Sequence, residues 1–197
     1  MGNIALMSMD ETSFPNLALM KISRYHKQLG DNVEWYDIFN DYEKLYISKC
    51  FTFKPDYGQI ITNAKEIIRG GTGYDIISKL PPQIEKVSNP DYSIYPNCNF
   101  SIQFYSRWCI RNCNFCCVRQ KEGYIHPVEP MDLNPKGEWI EVLDNNFFAN
   151  PEWRIAIEHL HKANQPIKFH GVDIRIMDEE QAYWLNKVHL KNNIHIA

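Results

Sequence analysis

The chain has 197 residues, 44% of them hydrophobic and 23% charged, which is the balance of a globular protein. Five Trp, eleven Tyr and ten Phe need an interior to bury them, so a disordered chain is excluded. The net charge of −3 offers no basic footprint for nucleic acid or an anionic membrane, and no apolar run nears the roughly 18 residues that span a bilayer. The first residues, Met1-Gly2-Asn3-Ile4-Ala5-Leu6, lack the basic start and long apolar core of a signal peptide, and a cytoplasmic location is expected. In that compartment six cysteines read as thiols, metal ligands or core residues before disulfides.

In chain order, residues 3–9 form an apolar run suited to a buried strand. A helix is expected over 15–29, with Ala18, Ile22, Tyr25 and Leu29 on one face, Pro15 in its first turn and Gly30 just past its end. Strands are expected over 33–38 and 44–51, then a short helical stretch over 59–65, a strand over 66–69 and the glycine loop Gly70-Gly71-Thr72-Gly73. Alternation of strand and helix implies an α/β domain over residues 1–80, doubly wound around a parallel sheet. Pro81, Pro82, Pro90 and Pro96 disfavour helix at the residues before them, so 81–97 reads as an extended linker.

The second half, 98–197, repeats the pattern. Strands are expected over 99–106, 139–143, 167–170 and 194–197. One helix opens at Pro151 behind an Asn150 cap, with Trp153, Ala156, Ile157 and Leu160 on its apolar face. A second helix follows Asp178 and Gln181, which are spaced as a capping box, and carries Trp184, Leu185 and Val188. Successive βα units without a hairpin signal suggest part of a βα barrel, cut off after about four strands.

The most informative stretch is Trp108-Cys109-Ile110-Arg111-Asn112-Cys113-Asn114-Phe115-Cys116-Cys117, directly after the first of these strands. Cys109, Cys113 and Cys116 in a Cys-x3-Cys-x2-Cys spacing let three thiolates converge on one inorganic cluster. Three thiolates leave one iron of a 4Fe-4S cubane open to another ligand. With the aromatic Phe115 before the last cysteine, the motif resembles that of the radical S-adenosylmethionine (radical SAM) superfamily. The resemblance implies an enzyme whose 4Fe-4S cluster is held by Cys109, Cys113 and Cys116 and cleaves S-adenosylmethionine reductively to a 5′-deoxyadenosyl radical. It also implies an electron donor of flavodoxin or ferredoxin type.

Further positions follow from the resemblance. Asp144, Asn145 and Asn146 stand where the family contacts the amino group of S-adenosylmethionine. Asp173 and Arg175 close the third strand at the barrel mouth, where Arg175 would pair with a carboxylate. The first half resembles the flavodoxin-like, cobalamin (B12)-binding-like domain that precedes the barrel in one branch. The histidine that ligates cobalt there is replaced by Thr12, and Pro15 stands at a glycine position, so any cobalamin would bind without a histidine ligand. His26, the only histidine before residue 126, falls mid-helix. A fragment or one partner of a split enzyme is expected, which self-associates or needs a second polypeptide to complete the barrel. No motif specifies the substrate.

Plainer readings stand beside this one. The cysteines could form a structural zinc knot in a binding module, with Cys98 or Cys117 as fourth ligand. An alternative is a truncated cluster-binding remnant without turnover. Cys50 and Cys117 read as packing residues, the glycine loop as a tight turn, and His159 and His161 as solvated or packing groups.

Overall fold

The computed structural model describes residues 1–10, 12–55, 61–192 and 194. It is a mixed α/β protein of two compact units, Met1–Pro96 and Asn97–Ala197.

The first unit holds a four-stranded parallel sheet. Its elements are β1 (Asn3–Ser8), α1 (Leu17–Gln28), β2 (Asn32–Trp35), β3 (Tyr42–Ser48), β4 (Ala64–Gly70) and α2 (Pro82–Glu85), with strand order β2-β1-β3-β4. Strand β1 is apolar on both faces because it is central. Ile4 and Leu6 pack with Leu19 and Ile22 of α1, Tyr46 and Ile84, while Ala5 packs opposite with Met9, Tyr42, Leu45 and Ile47. The register puts Leu6 beside Tyr46 and Ala5 beside Leu45, so each face is continuous across the strands.

Three expectations for this unit change. Helix α1 starts after Pro15: Asn16 is its cap, its Oδ1 accepting from Leu19 N–H, and the buried face is Leu19, Met20, Ile22, Ser23 and His26 rather than the stripe ending at Leu29. Residues 61–63 lead without a helix into β4, which begins at Ala64; residues 59 and 60 lie outside the described residues. No helix intervenes between β2 and β3 either, so among the described residues only β1-α1-β2 follows the expected alternation.

The segment 81–97 is not an extended linker. Helix α2 buries Ile84, and a 3-10 turn at Tyr92–Ile94 follows the buried Asp91. Asp91 Oδ2 accepts from Ser23 Oγ and Lys27 Nζ, both at 2.6 Å, and Tyr95 Oη accepts from Asn16 N–H. Prolines here shape turns that pack onto α1, so the boundary lies at Pro96.

The second unit contains β5 (Phe100–Gln103), β6 (Ser106–Arg107), α3 (Val118–Glu122), β7 (His126–Pro127), β8 (Trp139–Val142), α4 (Trp153–Ala163), β9 (Ile167–Phe169) and α5 (Glu179–Lys187). Strands β5, β8 and β9 form a parallel sheet in that order. Ile140, Val142, Ile167 and Phe169 meet Trp153, Ala156, Ile157 and Leu160 of α4 and Leu185 of α5 in one core. The apolar face of α4 is as expected, but its cap is Glu152, and Asn150 sits two residues earlier, accepting from Glu152 N–H. The Asp178–Gln181 capping box is present.

The expected first strand breaks at Phe104. Its end becomes β6, which pairs antiparallel with β7 and closes a hairpin around the cysteine loop. Leu190 forms a parallel bridge to Ile167, so a fourth chain segment joins the sheet beside β9. The strand expected over 194–197 falls, apart from Ile194, outside the described residues.

Candidate functional site

Parallel strands direct their carboxyl ends to one edge, where the loops that follow them gather. In the second unit that edge carries three segments: the cysteine loop after β5 and β6, residues 143–146 after β8, and residues 170–175 after β9.

Asp144 ties the first two segments together. It is buried; its Oδ1 accepts from Tyr105 N–H at 2.9 Å and its Oδ2 from Ser106 Oγ at 2.5 Å. Burial pushes its pKa up from the usual carboxylate value, against the pull of those hydrogen bonds. Both oxygens are therefore already engaged in holding the entry to the cysteine loop. Gly171 brings the third segment against the second: a Cβ there would lie 2.2 Å from Asp144 O, and Phe147 N–H donates to Gly171 O.

Asp173 ties the third segment to the cysteine loop itself. Arg175 Nε reaches Asp173 Oδ1 at 2.7 Å and Arg175 Nη2 reaches Oδ2 at 3.1 Å, while Arg111 Nε donates to Oδ2 at 2.6 Å. The Arg175 hydrogen bond above all, with Arg111 behind it, holds the Asp173 carboxyl far below the usual carboxylate range despite its desolvation. Arg175 thus meets a carboxylate bidentately, but the carboxylate is its neighbour two residues back. Asp173 raises the Arg175 pKa first, and the thiols of Cys113 and Cys109 add to the effect.

Glu122, at the end of α3, closes the loop. Its Oε2 accepts from Trp108 N–H at 2.5 Å and from Asn145 Nδ2 at 3.0 Å, and its Oε1 lies 3.5 Å from Arg107 Nη1. Trp108 adopts φ +78°, a left-handed conformation that costs a bulky residue roughly 1–3 kcal/mol and persists only where its surroundings enforce it. Neither Glu122 nor Arg111 was singled out by the sequence motif, although Arg111 lies between its first two cysteines. The signal for Glu122 is spatial, since its partners are 14 and 23 residues away.

Cys98, Cys109, Cys113, Cys116 and Cys117 are free thiols. Cys109 is half-buried and its Sγ accepts from Arg111 N–H; Cys113 and Cys116 are exposed and joined by a turn in which Cys116 N–H donates to Cys113 O. Phe115 is 94% exposed. Among the described residues no three His, Cys, Asp or Glu side chains are gathered closely enough to grip a metal ion. The three thiols share one loop and one edge but do not converge in this conformation. Cys117 is exposed rather than packed. Cys98 is buried, donates to Phe100 O and has its thiol pKa raised by burial; it precedes β5, whereas the cysteine loop follows that strand.

Three buried side-chain atoms among the described residues have no hydrogen-bond partner, and two of them are at this edge: Trp108 Nε1 and Asn146 Oδ1. Buried polar atoms are paired as a rule, so an orphaned donor and acceptor beside three free thiols are compatible with a bound polar group. In donor chemistry the residues fit a cluster and a ligand carrying an ammonium.

The first unit's strand ends are arranged differently. Asp10 is buried and accepts from Cys50 N–H and Phe51 N–H. Gly71, at φ +101°, would place a Cβ 2.3 Å from Lys49 O, and Gly73 N–H donates to that same oxygen. The glycine loop is thus a tight turn against the end of β3. His26 is buried, with Nδ1 2.8 Å from Asp31 Oδ2 and Nε2 3.0 Å from Tyr46 Oη, and serves the core of that unit. His159 pairs with Tyr105 Oη, and His170 pairs with the buried Glu141, which also takes Lys168 and Trp139 Nε1.

No helix among the described residues is long and apolar enough to cross a membrane. Comparison with protein-family models, curated proteins and solved structures finds no match to this chain.

Proposed function

We propose that this chain is a radical SAM iron–sulfur protein, its second unit built from barrel-type βα units and its first unit a cobalamin-binding-like domain. One observation carries the reading: three free cysteines in the radical SAM spacing occupy the loop after the first strand of a parallel sheet, at the edge where Asp144, Asn146 and Asp173 follow the next two strands. That is the edge at which βα folds build their sites.

In this reading Cys109, Cys113 and Cys116 hold a 4Fe-4S cluster, which with S-adenosylmethionine supplies a carbon radical for hydrogen abstraction. Asp144 fixes the start of the loop by accepting from Tyr105 N–H and Ser106 Oγ. Arg111, drawn to Asp173, fixes its middle, and the paired guanidiniums of Arg111 and Arg175 outweigh the single Asp173 charge. Asn146 Oδ1 and Asn145 Oδ1 are the acceptors offered to an ammonium.

Anaerobic reconstitution with iron and sulfide, then dithionite and S-adenosylmethionine, tests the reading. Iron and sulfide near four of each, with 5′-deoxyadenosine released, is the expected result. One tightly held zinc and no uptake of iron would overturn it.

A further inference from the structure

Glu122 lies outside the cysteine motif, yet its side chain, like that of Asp144, ties the start of the cysteine loop to the segment after β8. Its carboxylate takes Trp108 N–H at 2.5 Å and Asn145 Nδ2 at 3.0 Å on the same oxygen. An ionised carboxylate only accepts, so it dictates which end of the Asn145 amide turns towards it. The NH2 faces Glu122, and the exposed Asn145 keeps its Oδ1 for another donor. An amide without such a partner can flip by 180° at almost no change of shape and present a donor in place of an acceptor.

We propose that Glu122 is a positioning residue for the ammonium of S-adenosylmethionine: it holds Asn145 with its carbonyl oxygen available and, through Trp108 N–H, keeps that oxygen in register with Cys109. The inference rests on the radical SAM reading above. Holding an acceptor in place before the ligand arrives lowers the ordering cost of binding. The strained φ of Trp108 supports the assignment, because strain of this kind survives only where the surroundings impose it, and Glu122 is the group bonded to that residue's N–H.

Glu122→Gln retains a carbonyl for Trp108 N–H but can offer Asn145 either a donor or an acceptor. The reconstituted variant is expected to keep the iron and sulfide content and thermal midpoint of the parent while binding S-adenosylmethionine about tenfold more weakly, as the loss of one charge-assisted hydrogen bond implies. Binding is read as the change in the EPR spectrum of the reduced cluster on titration with S-adenosylmethionine. Asn145→Ala should weaken binding at least as much, and the double variant no further, because Glu122 acts through Asn145. Undiminished binding by Glu122→Gln, or two losses that simply add, would overturn the inference while the cluster reading stands. A parent protein that takes up no iron would overturn both.

Discussion

Both units present the carboxyl ends of a parallel sheet, and they treat the polar groups there in opposite ways. In the first, Asp10 accepts from the backbone of Cys50 and Phe51, and Gly71 and Gly73 fold onto Lys49 O, so among the described residues the chain closes this edge on itself. In the second, Asp144 and Asp173 are also engaged, but they brace a loop that holds three free thiols, a strained Trp108 and an orphaned Asn146 Oδ1 nearby. The lesson is that a buried carboxylate at a strand end does not mark a site. What distinguishes the second edge is unfinished chemistry left exposed or unpaired.

The sharpest way to break this comparison is to exchange cysteines. Cys109→Ala, Cys113→Ala or Cys116→Ala should each abolish iron uptake on reconstitution, while Cys50→Ala, at the edge of the first unit, should leave it intact. Equal iron content in all four variants would remove the contrast.

A smaller effect is expected from Gly71→Ala. The new Cβ meets Lys49 backbone at a left-handed φ, and the strain should cost about 2–3 kcal/mol in urea denaturation. Iron uptake at the second edge should not change. A variant as stable as the parent would show that the glycine loop is not the seal described.

The smallest expected effect concerns pH, and it has opposite signs in the two units. Burial raises the Asp91 pKa, but hydrogen bonds from Lys27, Ser23 and Ser93 outweigh it and bring the group down to about 2. Its folded pKa lies below the unfolded value, so its contribution is present above about pH 4 and is lost as pH falls towards 2. The difference in stability between the parent and Asp91→Asn, about 2 kcal/mol at neutral pH, should shrink over that window. Asp144, whose pKa burial raises, shifts the other way and favours folding most when protonated. A pH-independent difference for Asp91→Asn would show that Lys27 and Ser23 do not discriminate its charge.

Much of the fold was legible because it rests on periodicity. The run Ile4-Ala5-Leu6-Met7 is apolar at every position, as a strand covered on both faces requires, and β1 is central. The α4 stripe and the Asp178 capping box are likewise local. The linker reading failed because prolines report only that a segment is not helical at given residues. They carry no information about Ile84 and Asp91 finding places against α1. The hairpin β6–β7 was hidden for a similar reason: two-residue strands carry no alternation to read.

At the candidate site the sequence by itself determined the ligand types and their spacing, since Cys109, Cys113 and Cys116 lie within eight residues of one another. Only the tertiary structure decided how the surrounding polar atoms are used. It engaged Asp144 with Tyr105 and Ser106, gave Arg175 to Asp173, and brought Glu122 to Trp108 and Asn145. The reason is physical. A side-chain pattern reveals which face of an element avoids water, because that preference is set residue by residue. Which donor meets which acceptor depends on strands and loops up to 62 residues apart being folded against each other.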